Sequence, residues 1–177
     1  MKIEETFELA FQNHQKNNLE IARKLYKQIL EKQPDHFKTV FYLGTLSIQT
    51  KKFDRAKSYY EKAIQINPNY PDVHHNLGTI LQQLGDFKKA IACYKKAIQI
   101  NPNYASAHNN LGNAFNELGE HKKAVDCCEK AIQINPNYAS AHNNLGNAFK
   151  KLKKHKKAIA CYKKAIQVDP KYMLANY

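Results

Sequence analysis

The side chains able to do chemistry recur at one interval. Asn76, Asn110 and Asn144 lie 34 residues apart, with Asn113 and Asn147 three positions beyond the last two and Asn109 and Asn143 adjoining them. A carboxamide offers two donors and an acceptor, which suits hydrogen bonding to the amides of another chain. Cys93, Cys127 and Cys161 keep the same interval, with Cys128 beside the second, and so do His74, His108 and His142. Neither set reads as a metal site. No two histidines stand at an i, i+4 spacing and no CxxC pair exists, whereas zinc needs ligands converging at about 2 Å. Equivalent positions in stacked helices are on the order of 10 Å apart, beyond the roughly 7 Å Cα limit of a disulfide. The cysteines are therefore expected to pack as small apolar groups. His75, His121 and His155 are likewise assigned to packing or rim positions. No nucleophile–base set, glycine-rich phosphate loop or paired carboxylate pocket is present, so neither catalysis nor a cofactor or metal is expected. The chemistry that remains is recognition.

Charge sharpens that reading. The 177 residues carry a formal net charge of +13, unevenly spread. Lys150, Lys151, Lys153, Lys154, Lys156, Lys157, Lys163, Lys164 and Lys171 crowd the last 34-residue unit against one acid, Asp169. Such a gradient speaks about partners rather than fold. The run over 150–157 has three readings: a solvated outer face, which half of it fits; an acidic segment of another protein, as ligand of Lys150 and Lys151; and, third, nucleic acid or anionic lipid. Nucleic acid is disfavoured, because no base-stacking aromatics interleave with these lysines. No apolar run approaches the roughly 18 residues that span a bilayer. Glu4 and Glu5 stand where a secretory signal would be basic, so a cytoplasmic protein is expected.

The same interval sets the elements that must position these groups. Pro34, Pro68, Pro102, Pro136 and Pro170 are spaced by 34, and Asn101 to Phe115 returns unchanged as Asn135 to Phe149. A fixed period of this length means stacked units, each too small to bury its own apolar face. The units are taken as 3–36, 37–70, 71–104, 105–138 and 139–172. In the third, Val73, Leu77, Ile80, Leu81 and Leu84 share one face of a helix over 72–84. Gly85-Asp86 breaks it, and Ala90, Ile91, Tyr94, Ala97 and Ile98 share a face of a second helix over 87–100. Gly44, Gly78, Gly112 and Gly146 sit mid-helix at a cost of about 1 kcal/mol each, which implies close packing, with Ala56, Ala90, Ala124 and Ala158 as the expected facing residues. The fifth unit reads Lys153-Lys154-His155 at its break and lacks the glycine.

Leu77-Gly78, Ala90, Tyr94, Ala97 and Pro102, with Leu145-Gly146, Phe149, Ala158, Tyr162, Ala165 and Pro170, resemble the tetratricopeptide repeat over nearly the whole chain. The first unit is degenerate, with Leu9-Ala10 for Leu-Gly and Ile29 for the late alanine. The family's tryptophan is replaced by Val40, His74, His108 and His142. The resemblance implies an all-α, right-handed superhelical solenoid of helix-turn-helix repeats whose first helices line a concave face. Residues 173–177 then read as the opening of a further helix, as in a chain cut short.

By that resemblance the inward positions include Asn76 and Thr79 in the third unit, Asn109, Asn110 and Asn113 in the fourth, and Asn143, Asn144, Asn147, Lys150 and Lys151 in the fifth. The asparagine ladder is similar to that in the tetratricopeptide arm of O-linked N-acetylglucosamine transferase, where asparagines hold peptide backbones. The expected function is a non-enzymatic scaffold binding an extended peptide of a partner protein. Two rivals are a substrate-recruiting arm of a longer transferase and a module that self-assembles by end-to-end stacking. A dicarboxylate clamp is not expected, because Phe41, His75, Asn109 and Ser140 occupy its cationic places.

Overall fold

The computed structural model describes residues 2–173, which form ten α-helices and a closing 3₁₀ turn, with no strand among the described residues. The helices are α1 (Ile3–Gln15), α2 (Leu19–Lys32), α3 (Phe37–Gln49), α4 (Phe53–Ile66) and α5 (Pro71–Gln83). They continue as α6 (Phe87–Ile100), α7 (Ala105–Glu117), α8 (His121–Ile134), α9 (Ala139–Lys151) and α10 (His155–Val168). The further helix expected at 173–177 lies outside the described residues except for Met173, which ends the 3₁₀ turn Pro170–Met173.

Each second helix is held by one repeated face. Ala22, Tyr26 and Ile29 of α2 are buried, as are Ala56, Tyr60 and Ala63 of α4, and Ala90, Tyr94 and Ala97 of α6. Ala124, Cys128 and Ala131 of α8 keep the pattern with a thiol in place of the ring. The spacing of four then three puts these groups on one stripe of the helix, and the small residues let the first helix approach.

The chain divides into two compact units, one up to Ile80 and the other from Leu81. In the first, α1 packs on α2 and α3 on α4. Phe7, Ala10, Tyr26, Ile29, Leu43 and Leu46 form its core, edged by Phe11, Tyr42 and Tyr59. In the second, α7 packs on α6 and α8, and α9 on α8 and α10. Cys128, Leu145, Phe149 and Ala158 make a core cluster there.

The glycines in first helices meet side chains one turn beyond the expected alanines. A Cβ on Gly44 would lie 2.8 Å from the Tyr60 ring, and one on Gly146 would lie 2.5 Å from that of Tyr162. At Gly112 the group met is Cys128 Sγ, at 2.6 Å, and the carbonyl oxygen of Ala124 follows at 3.2 Å. The alanine lets the backbones close, and the aromatic four residues on is what lies over the glycine.

Two kinds of turn join the helices. Within repeats, Gly85 and Gly119 take left-handed φ values of 80° and 76°. Asn17, Lys51 and Lys153 take the same conformation, at 61°, 55° and 59°. The break at Lys153 therefore closes like the others, with Lys154 N–H bonded to Phe149 O and Lys153 N–H to Lys150 O, at 2.9 and 3.0 Å. Between repeats, Asn67, Asn101 and Asn135 accept the N–H two residues on. His74, His108 and His142 reach the carbonyls of Pro68, Pro102 and Pro136 at 2.8, 3.0 and 2.9 Å. A carbonyl only accepts, so each histidine donates Nε2–H and pins the turn.

Candidate peptide-binding face

The fourth and fifth repeats carry the densest polar face. Asn144 Nδ2 on α9 donates to Asn109 Oδ1 on α7 at 2.9 Å, and Asn109 Nδ2 donates to Asn110 Oδ1 at 3.1 Å. Asn116 Nδ2 donates to the Asn144 carbonyl at 3.1 Å. Asn109 is 4% exposed. This departs from the expectation of an open groove position: its amide staples α7 to α9 and orients Asn110 and Asn144. The helical period alone places Asn109 on a polar face, and only the arrival of the next repeat buries it.

Asn143, one repeat on from Asn109, lacks that staple. Its Oδ1 is buried with no hydrogen-bond partner among the described residues. Asn147 Oδ1 accepts from the Tyr162 hydroxyl at 2.8 Å. The fourth repeat has Cys128 where Tyr162 stands, so Asn113 has no equivalent hydroxyl to hold it. Burial pushes the Cys128 thiol up to about 12 and that of Cys127 up to about 11, so both stay protonated and apolar in character.

Beyond these residues a cleft of ≈ 780 Å³ opens between the ends of α7 and α9. Asn113, Asn116, Glu117 and His121 line one wall, and Asn147, Lys150, Lys151, Lys153 and His155 line the other. Lys150 and Lys151 are exposed, in the last turn of α9, where cations also complement the helix dipole. Lys157 points elsewhere, with Nζ 5.4 Å from the Phe149 ring centroid. The lysine run therefore divides between the cleft and the outer surface.

In the first unit, Asn76 Nδ2 donates to the Tyr60 hydroxyl at 3.3 Å, and Thr79 Oγ1 donates to the His75 carbonyl at 3.1 Å. Burial pushes Tyr60 up to about 12. Sequence reasoning missed the aromatic character of this unit. Phe41 and Tyr42 occupy the positions of Asn109-Asn110 and Asn143-Asn144, and their rings stand edge to face 5.3 Å apart. Tyr70 adds an edge contact to Phe41 at 5.6 Å and to Phe37 at 5.1 Å. The 34-residue register, carried back to the second repeat, was the available signal.

A helix pair repeated every 34 residues, with small residues between the helices and asparagines along the first ones, defines a helical-repeat recognition array. The chain belongs to the tetratricopeptide repeat family: profiles described as tetratricopeptide repeat match residues 37–70, 59–92, 105–138 and 139–172, and a TPR repeat profile matches 78–119. Solved structures share the fold. One is the MamA protein, 23% identical, with a TM-score of 0.85 over 99% of this chain and 96% of that one. Another is MamA from Desulfovibrio magneticus RS-1, 18% identical, with a TM-score of 0.87 over 96% of each chain. A third is YrrB, described as a TPR protein with an unusual peptide-binding site, 25% identical, with a TM-score of 0.81 over 96% of this chain and 88% of that one. No curated protein matches the chain. Among the described residues, no helix is long and apolar enough to cross a membrane.

Proposed function

We propose that the chain is a non-catalytic, cytoplasmic scaffold that holds an extended, acidic segment of a partner protein. The observation that carries the proposal is the cleft shared by Asn113, Asn147, Lys150 and Lys151. Its carboxamides can bond backbone amides without reading side chains, and its lysines attract carboxylates. Asn110 and Asn144 extend the polar line, Asn109 acts beneath it as a positioning residue, and the half-buried Asn143 joins the residues proposed to hold the peptide. Asn76 and Thr79 are proposed to hold peptide in the same manner in the first unit. The peptide-binding site named for YrrB supports the same use of the fold here.

End-to-end stacking of two copies is the weaker reading. Continued in register, a second copy would set Glu8 beside Asn143 Oδ1, where Asn144 stands beside Asn109. A carboxylate has no N–H to give, so the amide staple between α7 and α9 is not repeated across such a junction.

Calorimetric titration of a glutamate-rich extended peptide tests the proposal. Lys150→Gln/Lys151→Gln should weaken binding about tenfold at low salt and less at high salt. Equal affinity for the variant and the unaltered protein at low salt would exclude the cleft as the site.

A further inference from the structure

In the fourth repeat, Phe115 lies between two cations, Lys95 of α6 and Lys123 of α8, whose Nζ atoms are 5.9 and 5.4 Å from the ring centroid. The register places Ser47 at the same position in the second repeat, 68 residues earlier, and keeps both cations as Lys27 and Arg55. The ring is gone and its flanking charges remain. A pocket of ≈ 390 Å³ lies there, walled by Arg23 and Lys27 of α2 and by Lys52, Arg55, Ser58 and Tyr59 around α4.

The other replacements run the same way. Lys52 stands where Glu120 ion-pairs with Lys123, Ser58 where Asp126 stands, Arg23 where Ile91 stands, and Thr50 where Leu118 stands. Two acids and three large apolar groups have given way to cations and hydroxyls. Glu20 is the carboxylate on the wall, largely exposed and paired with Arg23. The Ser47 and Thr50 hydroxyls donate to the carbonyls of Leu43 and Leu46, at 2.7 and 3.0 Å, and Arg23 is shared with Glu20, so the donors left for a ligand are chiefly Lys27, Lys52, Arg55, Ser58 and Tyr59. Lys27, Lys52 and the Arg55 fork around one hollow, beside the Arg23–Glu20 pair, call for a compact anion carrying more than one charge.

We propose that this pocket is a phosphate-binding site, filled by the tetrahedral oxyanion of free phosphate or of a phosphorylated side chain. It lies in the first unit and is independent of the asparagine-lined cleft.

The test titrates inorganic phosphate, and in parallel O-phosphoserine within a short neutral peptide, at ionic strength held constant with chloride. Ser47→Phe restores the ring of the fourth and fifth repeats, and Arg55→Gln removes one fork while keeping the hollow. Phosphate should raise the melting temperature of the unaltered protein. Ser47→Phe should abolish that shift, and Arg55→Gln should weaken binding about tenfold. Tighter binding of the phosphopeptide assigns the site to a phosphorylated partner, and tighter binding of the free ion assigns it to phosphate itself. An equal shift in both variants, or no shift at matched ionic strength, overturns the proposal. Should Ser47→Phe lose its helical circular dichroism, Arg55→Gln decides alone.

Discussion

The two units answer the same positions with opposite chemistry. Where the second unit sets Asn109-Asn110 and Asn143-Asn144, the first sets Phe41-Tyr42 in the second repeat and keeps one amide, as His75-Asn76, in the third. Where the second fills the space beside α8 and α10 with Phe115 and Phe149, the first places Ser47 and leaves a cationic hollow. The buried stripe of the second helices changes little: Tyr26, Tyr60 and Tyr94 are fully buried, Cys128 substitutes once, and Tyr162 is half-buried. The small-residue stripe that brings helices together is thus common to both units, and the remaining positions are free to specify what each surface meets.

That contrast can be broken most severely at the helix contact. Gly44→Leu should destabilise the protein by about 3 kcal/mol, because the fully buried Tyr60 ring has no space to move into. Gly112→Leu should also cost stability, and Gly146→Ala should cost less than Gly44→Ala, since the half-buried Tyr162 ring turns aside more easily than the fully buried Tyr60 ring. Chemical denaturation of the four variants checks the order.

A smaller effect separates Asn109 from its counterpart Asn143, one repeat on. Asn109→Leu removes the acceptor of Asn144 Nδ2 and the bond between α7 and α9, and should cost about 1–3 kcal/mol. Asn143→Leu removes an oxygen that already lacks a donor and should be nearly neutral. Equal losses in thermal melts would show that the staple between α7 and α9 contributes nothing.

The first unit also carries a pH signature. His14 Nε2 donates to Gln49 Oε1 at 3.0 Å, and burial holds its pKa below the ordinary 6.5. A depressed histidine is neutral when folded, so its contribution is full above pH 6.5 and is lost as pH falls through the folded pKa. Melting temperature should fall between pH 7.5 and 5, and His14→Gln should flatten part of that slope. The smallest effect belongs to the left-handed turn: Lys51→Gly should stabilise by about 0.5–1 kcal/mol, by relieving a conformation that costs a side chain more than glycine.

Much of the fold was legible because one period carries it. The paired helices, the breaks at Gly85 and Gly119 and the stripe ending at Tyr94 and Ala97 all follow from local pattern. What escaped depends on which neighbour arrives. Asn109 looks like any exposed asparagine until Asn144 covers it, and Gly44 gives no hint that Tyr60, rather than Ala56, lies over it. The histidine bonds to Pro68, Pro102 and Pro136 cross a turn that no helical wheel describes. Ser47 is one serine among apolar residues, and it becomes informative only beside Phe115 and Phe149 in register.

The central claim, that carboxamides of the second unit hold a peptide by its backbone, is tested most directly by fluorescence anisotropy with two acidic peptides. They share side chains, and one is N-methylated so that it cannot donate backbone hydrogen bonds. The unaltered protein should bind the ordinary peptide about tenfold more tightly, and Asn113→Ala/Asn147→Ala should erase that difference while melting normally. Equal affinity for the two peptides on the unaltered protein would contradict the claim and leave charge alone to hold the partner.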